Sequence, residues 1–190
     1  MSASQGFAEP PQLLDAAAVR RSVLRLSHEI LERHADVQEL VLAGVRTRGL
    51  PLAQRIAHII AELCGVSPAV CAIDVTAFRD DRQHDGTEPT SLAGTDGNGA
   101  ADITDRTVII VDDVLFTGRT VRAAIDALLS HGRPKAVEVL ALVDRGHREL
   151  PLRATYVGKN VPTSVSERVR VRLAEVDSVD GAWLVGAVPA

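Results

Sequence analysis

The sequence predicts an α/β protein with a mostly parallel, twisted sheet and helices on both faces. Short apolar, β-branched segments alternate along the chain with segments of helical period. Hydrophobic residues make up 46% of the chain but aromatic residues only 3%, so the core is aliphatic, which favours layered α/β structure over a sandwich with aromatic anchors. A length of 190 residues suits one domain with a substantial core.

The first part of the chain is predicted to contain two helices and a strand. Residues 1–12 are expected to be a flexible tail, and residues 13–190 a single domain. Asp15 is placed to cap a helix that runs to about His34. A buried strand over Glu39–Ala43 and a turn over Gly44–Gly49 lead into a second helix over Leu50–Cys64.

The remaining elements continue the alternation of strands and one further helix. Strands are predicted at Val70–Phe78, Val108–Val111, Ala136–Val143, Ala154–Val157, Val169–Leu173 and Ala182–Val185, with the last closing the sheet, and a helix at Val121–Leu129. The long polar segment 79–102 has no periodicity. We expect it to be a mobile lid loop, with plain disorder as the alternative.

The turn after the Val108–Val111 strand has the features of an anion-binding site. Thr117-Gly118-Arg119-Thr120 leads into the predicted helix, whose first backbone N–H groups have no partner inside the helix. Glycine allows a close approach of the backbone, and the threonine hydroxyls add donors. The pattern therefore predicts a phosphate site.

Two adjacent carboxylates, Asp112 and Asp113, stand where this strand is expected to end. Acids beside a phosphate are reasonable if the ligand also carries a sugar with vicinal hydroxyls or a divalent metal, because carboxylates bind both. The alternative is an acidic strand end before an ordinary capped helix. The Gly44–Gly49 turn lies at the same edge of a parallel sheet, so the two turns can face one ligand; alone it would be a plain connection.

Charge and cysteine content bound the environment and the partners. The net charge is −4, but residues 133–172 carry nine basic and four acidic side chains, an asymmetry compatible with a local polyanion site or an anionic small molecule. Cys64 and Cys71 alone suggest a reducing compartment. With no signal peptide and no apolar stretch of bilayer length, we expect a cytoplasmic protein without a membrane partner.

Three segments resemble a known family. Val108–Thr120 is similar to the phosphoribosyl-diphosphate (PRPP) binding motif of the type I phosphoribosyltransferases. Gly44–Gly49, and Leu142–Pro151 together with Tyr156–Ser164, resemble the bifunctional pyrimidine operon attenuation regulators that also carry uracil phosphoribosyltransferase activity. The resemblance extends from about Leu14 to Val185. It implies a type I phosphoribosyltransferase fold and the reaction of uracil with PRPP, with Mg²⁺, to give UMP and diphosphate.

The resemblance also implies a set of site residues. Asp112, Asp113 and Arg46 would be catalytic, and the two aspartates would hold the metal. The substrate-binding set is Arg46, Thr47, Arg79, Asp112, Asp113, Val114, Leu115, Phe116, Thr117, Gly118, Arg119, Thr120, Val143 and Arg145. Arg46 and Thr47 would lie nearest the diphosphate. Related enzymes have a non-proline cis peptide in this loop, which we expect at Val45–Arg46.

The base is expected to be a pyrimidine. Purine-specific relatives have an acid at the position of Phe116, and a phenyl ring offers an apolar wall instead; an ordinary core role is the alternative. Backbone groups near Val143 are expected to read the uracil edge, and Arg145 to reach the diphosphate, against the alternative that both are surface positions. A phosphoribosyltransferase for orotate or a purine, with no RNA role, remains the alternative function.

A basic surface is the candidate site for RNA. Arg21, Arg25 and His28 form one polar stripe of the first helix, which is commonly just a solvated face. The resemblance implies that a basic surface of a homodimer or higher homo-oligomer binds pyrimidine-operon leader mRNA, with UMP or UTP modulating the affinity. The residues expected there are Arg25, His28, Arg148, Arg153 and Lys159. Because aromatic residues are few, phosphate contacts would dominate.

Overall fold

The computed structural model describes residues 10–75, 92–94 and 101–186. In chain order the strands are β1 (Gln12–Leu14), β2 (Leu40–Val45), β3 (Ala69–Ile73), β4 (Leu92–Gly94), β5 (Thr107–Leu115), β6 (Ala136–Asp144), β7 (Tyr156–Asn160), β8 (Arg168–Arg172) and β9 (Gly181–Val185). The helices are α1 (Ala16–Arg33), α2 (Gly49–Cys64), α3 (Arg119–His131) and α4 (Ala174–Asp177).

The main sheet confirms the predicted α/β class. Its six strands have the order β4-β3-β2-β5-β6-β7, and all neighbours are parallel except the β3–β4 pair. Helices α1 and α2 pack on one face through a large aliphatic cluster, and α3 packs on the other. Helices on both faces leave the carboxyl edge of the sheet open for a ligand.

The first two helices begin and end close to the predicted positions. The Asp15 side chain accepts a hydrogen bond of 2.6 Å from the Ala18 N–H, as an N-cap does. The buried face of α1 carries Val19, Val23, Leu26 and Ile30. Helix α2 is followed by its C-cap residue Gly65, which has a left-handed φ of 78°. Glycine adopts this conformation without a Cβ clash.

A second sheet corrects the prediction for the C-terminal strands. Ala182–Val185 does not close the main sheet, because β9 pairs antiparallel with β8 and with β1 in a separate three-stranded sheet. The sequence of β8 alternates arginine and valine. Such alternation belongs to a half-buried antiparallel strand, whereas a strand inside a parallel sheet is apolar throughout. We call this second sheet the small sheet.

The central strand β5 is longer than predicted. It does not end at Asp112 but continues through both acids to Leu115, because its parallel pairing with β6 continues with Asp112 opposite Ala141 and Val114 opposite Val143. The two carboxylates are therefore held by sheet backbone. A short strand at Leu92–Gly94 pairs with β3 inside the predicted lid segment; the rest of that lid, except 101–102, lies outside the described residues, as do residues 1–9.

No helix within the described ranges is both long enough and apolar enough to cross a bilayer.

Candidate active site

Two loops meet at the carboxyl edge of the main sheet. One follows β2 and the other follows β5, and the two strands are parallel neighbours with Gly44 opposite Val111. The start of α2 is packed directly against β5, because a Cβ on Gly49 would lie only 2.2 Å from the Val111 carbonyl oxygen. This close approach brings the Gly44–Gly49 loop beside the two aspartates, as the sequence predicted.

The two acids form an adjacent pair in which Asp112 is buried and Asp113 is partly buried. Asp112 is 7% exposed, and its Oδ1 accepts a hydrogen bond of 3.0 Å from the Asp113 N–H. Burial raises the pKa of Asp113 above its ordinary value, an effect opposed by a hydrogen bond with Asp112 and by the charge of Arg48. A cation or the hydroxyl donors of a sugar would relieve the cost of keeping these carboxylates charged.

The turn before α3 is shaped to receive an anion. Gly118 has a φ of 93° and, as the N-cap residue, offers no side chain to α3, while Thr117 Oγ1 accepts a long hydrogen bond of 3.4 Å from the N–H of Arg119, the first helical residue. This helix has 13 residues, so its N-terminal N–H groups and its dipole both favour an anion at this end. The predicted phosphate residues Thr117, Arg119 and Thr120 surround this turn.

The loop that follows β6 supports this turn from outside. The N–H groups of Glu149 and Leu150 donate to the Thr117 carbonyl at 3.0 and 3.2 Å. Arg148 Nη1 donates to the Phe116 carbonyl at 2.6 Å, and Glu149 pairs with Arg119 at 2.7 Å. The segment that distinguished the family resemblance therefore fixes the geometry of the anion turn.

The cis peptide is in the expected loop but one residue later. The structure has a cis bond at Arg46–Thr47 and a trans bond at Val45–Arg46. The prediction for Val45–Arg46 is wrong because this peptide still belongs to the sheet: the Arg46 N–H donates to the Ile73 carbonyl at 3.0 Å, continuing the parallel pairing of Val45 with Ile73.

Arg48 is a site residue that sequence reasoning missed. Its Nε and Nη2 donate to the two carboxylate oxygens of Asp177 at 3.0 and 2.8 Å. It lines a cavity of about 180 Å³ together with Asp113, Arg168 and Arg170. The residue stands in the Gly44–Gly49 motif, but its partner lies 129 residues away, so no local pattern could have indicated the pairing.

Phe116 and Arg145 form a stacked pair. Arg145 is 5% exposed, and its Cζ lies 3.9 Å from the centroid of the Phe116 ring, a cation–π contact. The guanidinium also donates to Thr163 Oγ1 and to the Ser164 carbonyl, both at 3.1 Å. Phe116 is thus neither a bare apolar wall nor simple core, and Arg145 is directed to the 163–165 segment and not to the Arg46 loop.

Three other predicted substrate residues occupy different environments. Val143 is fully buried and lies between β5 and β7 in the sheet, so its backbone is flanked on both sides, and Asp144 after it is still paired with Leu115 and Asn160. Leu115 belongs to the core, and Val114 is partly buried against it. Arg79 lies outside the described residues.

A second cavity of about 640 Å³ lies beside the edge strand β7. It is lined by residues of the loop after β6 and of the segment after β7, with Arg153, Ala154 and Val157 between them. Arg148 in this loop is saturated by internal contacts: besides Phe116 it bonds the Leu152 carbonyl at 3.1 Å and pairs with Asp144. Arg148 therefore has a structural role in this loop, and its predicted contact with RNA stays a prediction.

The other predicted RNA residues lie around β7. Arg25 Nη2 donates to the carbonyls of Val157 and Gly158 at 2.9 and 2.7 Å, which fixes α1 against this strand. Lys159 is exposed and donates to the Leu13 carbonyl at 2.8 Å. His28 and Arg153 are exposed. Arg25, Arg153 and Lys159 thus lie on or beside the edge strand β7, and His28 is an exposed residue of α1.

Comparisons with known proteins place this geometry in context. Residues 11–175 match the family model of the phosphoribosyl transferase domain. Proteins named Bifunctional protein PyrR are 53% identical in Chloroflexus aurantiacus, over 89% of this chain and 91% of that protein, and 50% identical in Clostridioides difficile, over 93% and 98%.

Solved structures show the same fold at low sequence identity. A hypoxanthine phosphoribosyltransferase from Staphylococcus aureus superposes with a TM-score of 0.66 at 19% identity, covering 90% of each chain. The Trypanosoma cruzi enzyme in complex with its product IMP gives a TM-score of 0.63 at 20% identity, covering 84% of this chain and 80% of that one.

Proposed function

Since the chain belongs to the phosphoribosyltransferase family and, within it, to the bifunctional PyrR proteins, we propose that it has two functions. It forms UMP and diphosphate from uracil and PRPP, and it binds pyrimidine-operon leader mRNA. One observation carries the enzymatic part. Two adjacent carboxylates near the end of β5, Asp112 and Asp113, precede Gly118, the N-cap of α3, by six and five residues. This spacing suits a ribose whose phosphate is bound in the turn.

The reaction requires the leaving group to be stabilised as it departs. A uracil nitrogen attacks the anomeric carbon while the bond from that carbon to the diphosphate oxygen breaks, so positive charge develops on the ribose and negative charge on the diphosphate. Asp112 and Asp113 orient the ribose hydroxyls and offset the positive charge. Arg46 and the backbone of its loop meet the diphosphate, while the Thr117–Thr120 turn holds the 5′-phosphate and so fixes the reacting carbon.

The carboxylate pair fits a magnesium ion that arrives with the substrate. Mg²⁺ in proteins is commonly bound by one or two carboxylates plus substrate oxygens. Residues 10–75, 92–94 and 101–186 contain no cluster of three or more potential ligands, so Asp112 and Asp113 would hold the ion jointly with PRPP. When bound, it would neutralise charge on the diphosphate.

The stacked pair of Phe116 and Arg145 favours a pyrimidine over a purine. No carboxylate stands at position 116 to protonate a purine ring nitrogen, and the space above the ring is filled by a guanidinium. Uracil attacks through a ring nitrogen whose proton is released as the bond to the anomeric carbon forms, so the base needs no proton donor. This reasoning selects uracil, with orotate and hypoxanthine as the alternatives to be excluded by assay.

The test of the enzymatic part is a substrate profile. We expect nucleotide formation from PRPP with uracil and not with orotate or hypoxanthine, and a loss of about 100-fold or more in Asp113→Asn, the scale of a lost transition-state interaction. Turnover of hypoxanthine or orotate but not uracil would show that the base is misassigned.

The regulatory part rests on the basic residues around β7. Arg25 and His28 belong to α1, which contacts β7 through Arg25, whereas Arg153 and Lys159 belong to a much later part of the chain beside and on β7. We propose that these residues contact RNA phosphates in a homodimer or higher homo-oligomer in the cytoplasm, and that UMP or UTP in the active site changes the affinity. Filter binding to a pyrimidine-operon leader with and without UMP tests this. An affinity that does not respond to nucleotide would leave only an enzyme.

A further inference from the structure

Two arginines, one directly before α2 and one within it, hold the segment that joins β8 to β9. Arg48, which precedes the first residue of α2, and Arg55 are seven residues apart and so lie on one side of the helix. Arg48 pairs with Asp177, and Arg55 pairs with Glu175 at 2.6 Å and Asp180 at 2.7 Å. Together these ion pairs attach the small sheet to the main domain.

The two arginines differ in how many of their guanidinium nitrogens are used by the ion pairs. All three guanidinium nitrogens of Arg55 donate to Glu175 or Asp180. Arg48 uses Nε and Nη2 for Asp177, and its Nη1 has no hydrogen bond to any residue in the described ranges. Arg48 lines the 180 Å³ cavity beside Asp113, whereas Arg55 does not. Arg48 therefore lines the cavity with two guanidinium nitrogens fixed by Asp177 and with Nη1 unused by the described residues.

The cavity itself is suited to an anion. Three arginines, Arg48, Arg168 and Arg170, and one carboxylate, Asp113, line it, so its charged side chains sum to a positive charge. Arg48 also follows directly on the cis Arg46–Thr47 peptide. A diphosphate held by the Arg46 loop would thus have Arg48 within its immediate surroundings.

We propose that Asp177 is a positioning residue of the reaction, which fixes Arg48 so that its free Nη1 contacts the diphosphate of PRPP; this rests on the proposed function. The bidentate pairing allows only one orientation of the planar guanidinium. Asp177 is itself held, because its Oδ2 accepts from the Leu173 N–H at 3.0 Å. Arg48 lowers the pKa of Asp177, which keeps the carboxylate charged at neutral pH.

The first test compares two carboxylates of the same ion-pair group. Asp177→Asn should raise KM for PRPP by about ten-fold, because the cation that meets the diphosphate loses its fixed orientation, and leave KM for uracil within two-fold. Glu175→Gln removes a charge from the neighbouring Arg55 pair and should leave both constants unchanged. Thermal unfolding of both variants controls for loosening of the small sheet. Equal kinetics in the two variants would overturn the proposal.

A double-mutant cycle tests whether Asp177 acts through Arg48. Arg48→Gln should reproduce the rise in KM for PRPP, and the double variant should be no worse than the worse single variant. Additive losses would mean that Asp177 acts independently of Arg48 and would overturn the assignment.

A binding measurement separates this proposal from the proposed function. Calorimetric titration with PRPP and Mg²⁺, without any base, should give about ten-fold weaker binding for Asp177→Asn than for the natural chain. Unchanged PRPP affinity in the variant overturns the positioning role while the enzymatic function stands. The expected loss of affinity in a chain that does not use uracil supports the positioning role and contradicts the assignment of the base.

Discussion

At the scale of single residues, the site depends on a charge that the fold disfavours. Asp113 lies in a sheet next to a second carboxylate, and burial raises its pKa. The charge of Arg48 and a hydrogen bond with Asp112 oppose this effect. Sites that bind cationic or hydroxyl-rich ligands often carry such a cost in the free protein, and the ligand relieves it.

Removing the charge of Asp113 should lower the enzymatic activity and raise the stability of the fold. In Asp113→Asn the uncharged amide is cheaper to bury, so the free energy of unfolding at neutral pH should rise by about 1 kcal/mol, a common size for relief at a functional site. Chemical denaturation measures this change. A less stable variant would show that the carboxylate is satisfied in the free protein.

The raised pKa of Asp113 also predicts a pH dependence. The folded protein binds the proton more tightly than the unfolded chain, so this group's contribution to stability is present at low pH and is lost as the pH rises toward the folded pKa. In the proposed site the carboxylate form binds ribose and metal, so we expect KM for PRPP to rise as the pH falls through that raised pKa. Kinetics across mildly acid pH test this, and in Asp113→Asn this dependence of PRPP binding should disappear.

At the scale of elements, the sequence predicted most of the features that depend on a single segment of the chain. It predicted few of the contacts between distant segments. The Asp15 cap, the apolar face of α1 and the turn before α3 are local patterns, and each was found where predicted. The extension of β5 through Asp112 depends on pairing with β6. The pairing of β1 with β9 and of Arg48 with Asp177 joins residues more than 100 positions apart, and no local periodicity records it.

The close packing of α2 on β5 gives a prediction for Gly49. A Cβ there would lie 2.2 Å from a backbone oxygen that the sheet cannot move, so Gly49→Ala should destabilise the protein by about 3 kcal/mol and weaken PRPP binding by displacing the Arg46 loop. Gly186→Ala, where a Cβ would meet nothing within 4 Å, is the matched control. Denaturation midpoints compare the two, and equal midpoints would contradict the packing described.

At the scale of the whole molecule, the protein separates two kinds of anion site. The proposed nucleotide site lies at the carboxyl edge of the main sheet, and β7, which Arg25 of α1 contacts, forms a lateral edge of that sheet. Helix α3 and its arginines are on the opposite face of the sheet. Although the net charge of the chain is −4, the basic residues around β7 form a local positive surface to which a polyanion could bind.

The salt dependence of RNA binding tests that surface. Arg153→Gln should weaken binding to leader RNA and make the slope of log K against log salt shallower by about 0.7 to 0.9, the value of one lost phosphate contact. Arg122→Gln on α3, also exposed and paired with Asp126, should change neither quantity. The same slope in the natural chain and in Arg153→Gln would place the RNA elsewhere.

The most direct measurement is a crystal structure with UMP bound. We expect both ribose hydroxyls within about 3 Å of carboxylate oxygens of Asp112 and Asp113, and the phosphate in the Thr117–Thr120 turn against the first N–H groups of α3. Nucleotide density at another place, or a phosphate outside that turn, would contradict this account of the active site.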